Sequence, residues 1–369
     1  MTRITVQGIG VVGGFGTGTG ALLQALATGQ SQRSSLSVPS GKEFIELSAF
    51  RGDTSLLKNF VSARSLRRMD PFSQLGLLAA HLALEDAGMA STPGGAAGHD
   101  GLGVIIASGF GATSSTYALL DSINNDGDDC TSPIHFANSL HNVCSANIAI
   151  ALGATGPNLT VSQFDLSVAS ALQTARQWLL DGRVDRLLFG AVEELSDFIG
   201  YSWFRKRGMT RPEPMHPMRT REETAIPGEG AAFLLLSRLE ESQAGYCTLD
   251  RVTTGRFPQR DDLGDPPLLV VNADGRKDTG ARYAALAEGA RIACYTPLYG
   301  SMPASPAFDL VAGAHMLKAG RVFPTPGETS LDFPAVVAAA GPLEATRITC
   351  LALAEEDRYG LVELGPILG

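Results

Sequence analysis

A layered α/β architecture is what this sequence predicts, and three observations carry the prediction. Strand-like and helix-like segments alternate along the chain. A length of 369 residues suits two domains or one double-sized unit built from similar halves. Hydrophobic residues make up 44% and charged residues 18%, without low-complexity tracts, which is the composition of a chain with a large core.

Each element can be justified in turn. ITVQGIGVV, residues 4 to 12, is a first strand, too short and glycine-broken for a signal peptide. A helix is expected over about 18 to 27, followed by a variable, Ser-rich connection. DPFSQLGLLAAHLALEDAG, 70 to 88, is the clearest helix: Asp70 suits the N-cap, Pro71 the first turn and Gly88 the stop. Its apolar positions cover nearly every face, which predicts burial between layers. LGVIIASG, 102 to 109, is a core strand ending in a glycine-rich turn, ahead of a polar segment over 110 to 133. FANSLHNVCSANIAIALG, 136 to 153, reads as a second buried helix with Cys144 packed as a small hydrophobe. A strand within 156 to 162 turns sharply into a helix over 167 to 180, and strands follow at 186 to 192 and after the PGEGA turn at 227 to 231. Beyond about residue 240 the succession restarts, with strands in CTLDRVTTG, PLLVVNADG, RIACYTPLYG, RITCLALAEED and GLVELGPI and helices near 279 to 289 and 306 to 319. The expected organisation is a first half over 1–240 and a second over 241–369, although no sequence repeat relates them.

Several function classes are disfavoured. A net charge of −9 argues against a nucleic-acid surface, which needs clustered Lys and Arg. Two small basic clusters exist, Arg64, Arg67 and Arg68 in one and Arg205, Lys206 and Arg207 in the other; each is a solvated face or a receptor for an acidic partner. No stretch approaches the apolar run of a membrane span, so a cytoplasmic location is expected. Five scattered cysteines without CxxC spacing give neither a disulfide framework nor a zinc site, and His81, His99, His135, His141, His216 and His315 show no metal spacing. The PGEGA turn lacks the Lys-Ser/Thr of a phosphate loop.

The turn after GPNLTVS is where an enzyme of this architecture would mount a nucleophile, yet it offers Gln163, Phe164 and Asp165. In order along the chain, GIGVVGGFGTG, RSLRRMDPFSQLGLLAAHLALEDAG, SPIHFANSLHN, GPNLTVS and PGEGAAFLLL resemble signatures of the β-ketoacyl synthases of the thiolase superfamily, over essentially the whole length. The resemblance implies a five-layered α-β-α-β-α sandwich of two pseudo-equivalent halves. It also implies where the chemistry should be. Catalytic members carry Thr-Ala-Cys-Ala-Ser at the turn, and the position of that Cys is Asp165 here, which cannot hold an acyl thioester. The first family histidine, in Val-Asn-Ala-His-Gly-Thr-Gly-Thr, corresponds to Asp274 in VVNADGRKD, and the second to Gly300 in YTPLYGSMPASPAF. The family's Gly-Phe-Gly-Gly turn is replaced by ALAEEDRYG.

This pattern resembles the chain length factors of type II polyketide synthases, which implies a subunit that is no enzyme on its own. It would pair with an active ketosynthase, bound the acyl tunnel, and receive substrate from an acyl carrier protein, with no cofactor. Asp165 in place of the usual Gln, and the short length, lean towards highly reducing or polyene-type systems. Phe110, Tyr117 and Leu120 are the candidates for the tunnel floor, Ile134, His135 and Phe136 for the partner interface, and Arg64, Arg67 and Arg68 for carrier-protein contacts. Asp165 itself has two readings, a proton-handling carboxylate or a cap on the following helix, and Asp274 is either chemical or part of an ordinary turn. The rival functions are a malonyl-carrier-protein decarboxylase, which the missing histidines disfavour, and a scaffold with the inherited fold.

Overall fold

The computed structural model describes residues 3–89, 98–127, 129, 131–207, 214–238, 245–264, 266–327 and 332–367. The chain opens with β1 (Ile4–Gly13), the short β2 (Gly16–Thr17) and α1 (Thr19–Thr28). The Ser-rich stretch is no loose connection: β3 (Ser34–Ser40) and β4 (Glu43–Ala49) form an antiparallel hairpin. Leu36, Val38, Leu47 and Ala49 alternate inwards along it, a period-2 pattern that the serines between them obscure.

After α2 (Ala63–Leu66) comes α3 (Pro71–Asp86), begun as its sequence predicts. The Asp70 carboxylate accepts from Ser73 N at 2.8 Å, and Gly88 turns left-handed at φ 69° beyond the end. Gly10 of β1 lets this helix lie against the strand, since a Cβ there would meet the Ala79 carbonyl oxygen at 1.9 Å. β5 (Gly103–Ala107) follows, and then two corrections. The polar segment contains α4 (Thr113–Asp126), whose sole fully buried residue is Ser115. The single helix expected over 136 to 153 is two, α5 (Pro133–Asn138) and α6 (Val143–Leu152). Pro133 starts α5, with Ser132 Oγ accepting from His135 N at 3.3 Å, and α6 buries Cys144 and Ile148 while leaving Ile150 81% exposed.

The remaining elements of the first half are β6 (Asn158–Val161), α7 (Ser167–Leu180), β7 (Arg186–Glu193), α8 (Asp197–Arg207) and β8 (Gly230–Arg238). The sequence did not signal α8. The second half contains β9 (Cys247–Arg256), β10 (Leu269–Val271), α9 (Lys277–Leu286), β11 (Arg291–Ala293) and α10 (Ser305–Ala319). The short β12 (Arg321–Val322), β13 (Val336–Val337) and β14 (Gly341–Pro342) precede β15 (Ile348–Leu353) and β16 (Arg358–Gly365). The boundary expected near 240 lies outside the described residues, between β8 and β9.

The main strands run β13-β11-β10-β15-β16-β9-β1-β8-β7-β5-β6. Numbering the long strands of each half one to five, β6-β5-β7-β8-β1 reads 3-2-4-5-1, and β11-β10-β15-β16-β9 reads the same. In both, the fifth strand is antiparallel to its neighbours. Thr5 opposite Thr248 and Val6 opposite Cys247 join the two sets. Their shared inner layer is α7 with α10, packed on Phe189 and Ala191 of one sheet and Val270 and Val362 of the other. α3 and α6 cover the far face of the first sheet, and α9 that of the second. Five layers result, α-β-α-β-α, because both sheets present apolar residues on each side and each face needs a helical cover.

Candidate functional site

The loops that leave β5, β6, β10 and β11 meet at one place, and they carry the three positions singled out in the sequence. Asp165 lies in the 3₁₀ turn Phe164–Leu166 at the head of α7. It does not cap that helix, whose N-terminus has no side-chain cap. Its Oδ2 instead lies 3.2 Å from Nη1 of Arg276. Arg276 Nε is also 2.7 Å from Asp274 Oδ2, and Arg276 N donates to Asp274 Oδ1 at 3.3 Å. Asp274 is therefore more than a turn residue: it is 4% exposed, and the Ser301 hydroxyl donates to its Oδ2. Gly300, next to Ser301, sits at φ 83°. Thus one guanidinium ties together Asp165 and Asp274, two of the positions singled out in the sequence, and Ser301, the neighbour of the third, completes the network.

Burial pushes the Asp165 carboxyl above the usual range, opposed by the Arg276 guanidinium and reinforced by Asp274. For Arg276 burial disfavours the charge, but Asp274 and Asp165 more than offset it and hold the guanidinium charged. Such a buried set is nearly neutral in net stability while complete, and costly when one member is removed.

This ion-paired cluster is one side of a cavity of about 460 Å³. Phe110, Phe164, Phe198, Ile199, Trp203 and Met302 form its apolar wall; Asp165, Arg276 and Ser301 are its polar ground. Lys206 and Glu355, both exposed, pair at 3.7 Å on its border. The Phe110 turn is gripped from within: the buried Glu193 carboxylate accepts from Phe110 N at 3.2 Å, from Ser108 Oγ at 3.2 Å and from Gly109 N. Burial pushes Glu193 up to about 8 despite those bonds. Dimensions and lining suit an apolar chain with a polar end.

The other candidates are distributed as follows. Phe110 lies in the cavity, edge-on to Phe164 with ring centres 6.1 Å apart. Tyr117 is outside it, stacked on Phe198 at 5.7 Å and 55% exposed, and Leu120, Ile134 and Phe136 are also more than half exposed. They stand on α4 and α5, which pack on each other. His135 is partly buried, its Nδ1 without a partner. Arg64, Arg67 and Arg68 are exposed on α2 and the residues just after it, tied to α5 by Asn138 Nδ2 donating to Arg68 O at 3.0 Å. The structure therefore brings together Asp165, Asp274, Gly300 and Phe110, and sets the remainder on an adjoining outer face.

Arg276, Phe164, Trp203 and Glu193 were not predicted. Arg276 had a faint signal, a cation two residues after Asp274, but nothing local shows that it meets residue 165. Cys144 is buried, as expected of a small hydrophobe; Cys247, Cys294 and Cys350 are buried as well, and none of the four lines the cavity. Burial pushes the Cys294 thiol up to about 12. Cys130 lies outside the described residues. Among those residues no His/Cys/Asp/Glu group is arranged for a metal ion, and no helix is long and apolar enough to cross a membrane.

Fold and site together define a thiolase-like layered sandwich with a cavity where the loops that leave β5, β6, β10 and β11 meet. The chain belongs to the β-ketoacyl synthase family: residues 1–242 match the family's description, "Beta-ketoacyl synthase, N-terminal domain". Over 253 residues it is 26% identical to 3-oxoacyl-[acyl-carrier-protein] synthase 2 of Vibrio cholerae, covering 66% of this chain and 59% of that enzyme. The chain thus spans about three fifths of the length of the curated relatives it matches. Among solved structures it superposes on the ishigamide ketosynthase/chain length factor with a TM-score of 0.81 at 18% identity, covering all of both chains. It also superposes on a type II polyketide synthase acyl-carrier protein complex with its ketosynthase bound to the hexaketide, with a TM-score of 0.77 at 16% identity, covering 99% of this chain and 100% of that one. These two likenesses establish the fold.

The comparisons correct one expectation. A chain that is no enzyme on its own was predicted from the altered site, whereas the curated relatives it matches are named 3-oxoacyl-[acyl-carrier-protein] synthases, condensing enzymes by name. The altered residues remain, so the chemistry must be read with them in place.

Proposed function

We propose that this chain is a subunit of a β-ketoacyl-carrier-protein synthase, in which it pairs with a ketosynthase chain and shapes the space that receives the growing acyl chain, in a polyketide or polyene system of the cytoplasm. The observation that carries the reading is the cavity itself. An aromatic wall of Phe110, Phe164, Phe198 and Trp203 faces the Asp165–Arg276–Asp274 ion pairs at the family's reaction centre. An apolar wall accepts a hydrocarbon chain, and bulky side chains in it set the depth available.

A partner ketosynthase chain would share this acyl space with Asp165, whose carboxylate forms no thioester. Tyr117, Leu120, Ile134 and Phe136 supply an exposed apolar face for that partner. Arg64, Arg67 and Arg68 stand beside it and suit an acidic carrier protein. The decarboxylase reading is weakened further, because the cationic donor present, Arg276, is already engaged by Asp165 and Asp274 and neither histidine position offers another.

The test is co-expression with candidate ketosynthase chains from the same genome. The proposal expects a one-to-one complex of the two chains; a chain that purifies alone, soluble and without partner, contradicts it.

A further inference from the structure

We infer that Phe164 is the side chain that limits how far an acyl chain enters this cavity, and that Arg276 holds it in place through Asp165. The inference rests on the acyl-cavity reading above and names the residue that measures the chain.

The first observation is backbone strain. Phe164 sits at φ 48°, a left-handed conformation that a bulky residue adopts only against steric strain. Of the described non-glycine residues with positive φ, it alone lines the cavity. Strain of this kind persists only where the surroundings over-determine it.

The surroundings do so from three sides. Before Phe164, Gln163 N donates to Ser167 Oγ at 2.8 Å, and that hydroxyl faces Phe164 O at 2.7 Å. After it, Asp165 is clamped by Arg276, itself clamped by Asp274, which accepts from Ser301. Beneath it, Gly109 makes room: a Cβ there would lie 3.2 Å from Phe164 Cα and 2.5 Å from the Pro303 ring.

What all this holds up is a ring that stabilises the chain little. Phe164 is 61% exposed, in the cavity rather than the core, touching Phe110 edge-on. A strained backbone, a buried charge network and an exposed aromatic tip are a poor arrangement for stability. They make sense where a ligand supplies the missing contact, and an acyl chain end is the ligand that fits.

Another aromatic of the cavity provides the probe. Trp203 is on the same wall, and the other tryptophan, Trp178, is removed by Trp178→Phe in all proteins compared. Quenching of Trp203 is titrated with straight-chain acyl N-acetylcysteamine thioesters, butanoyl to hexadecanoyl. Phe164→Ala, which removes an exposed ring, is expected to move the best-bound length out by about two to four carbons. Asp165→Ala, which frees Phe164 while leaving Arg276 paired with Asp274, is expected to broaden the preference in the same direction. An unchanged optimum in Phe164→Ala overturns the inference and leaves the acyl-cavity reading standing. A shift in Phe164→Ala without any in Asp165→Ala overturns the role of Arg276. Absence of quenching by every thioester overturns both the inference and the reading beneath it.

Discussion

Arg276 reaches across 111 positions of sequence to place its Nη1 3.2 Å from Asp165 Oδ2, joining a loop of the second half to the head of α7 in the first. The contact is mostly shielded, with side-chain exposures of 15% and 20%. Arg276→Met leaves Asp165 and Asp274 without their cation and is expected to destabilise the chain by about 3 kcal/mol. Adding Asp165→Asn and Asp274→Asn should recover a large part of that loss. Denaturant midpoints of the single and triple variants check both statements.

The buried carboxylates set the pH profile. Burial pushes Glu193 up to about 8 and Glu194 and Asp309 each up to about 7. Between their ordinary range and those values the folded chain holds more protons on these groups than the unfolded one, so their contribution is full only below about pH 4 and falls as pH rises towards 8, opposed up to about pH 6.5 by His81 and His315, which burial holds neutral. Glu193→Gln should flatten part of that decline. Thermal midpoints between about pH 6.5 and 8 check the sign, and a midpoint that rises with pH there contradicts it.

Gly109 is the close-approach point beneath the cavity wall. A methyl group there meets Pro303 at 2.5 Å, so Gly109→Ala is expected to cost about 1–3 kcal/mol and to displace the loop carrying Phe110. Thermal unfolding reads the first effect, and the acyl-length preference the second.

The outer face should behave as an interface. Ile134→Asp with Phe136→Asp places charges on two of its exposed apolar side chains and is expected to weaken the partner complex at least about tenfold, with the fold of this chain unaffected. Changing Arg64, Arg67 and Arg68 to Glu is expected to weaken carrier-protein binding and reduce its salt dependence, leaving the partner complex intact. Surface-immobilised binding assays at several salt concentrations separate the two effects.

Much of the architecture was legible because its signals are local. Asp70, Pro71 and Gly88 delimit α3 from within a few residues, and strands such as β5, β7, β8 and β15 are marked by apolar runs that the layers bury. The hairpin β3–β4 was hidden because serines fill its outward positions. α4 was hidden because so little of it is buried, and α8 because its residues, from Asp197 to Arg207, carry no strong apolar period. The site divides along the same line. Asp165, Asp274 and Gly300 were singled out by the motifs around them, whereas Arg276 and Phe164 acquire their place in the argument from tertiary contact and from a backbone angle that no side-chain pattern announces.

The most direct test of the central claim is mass spectrometry of the products made by the co-expressed ketosynthase with this chain and with its Phe110→Ala/Phe164→Ala double variant, at equal amounts of complex. If this subunit shapes the acyl space, the variant complex makes products longer by one or more chain-extension units. Products of unchanged length from an intact complex would contradict it.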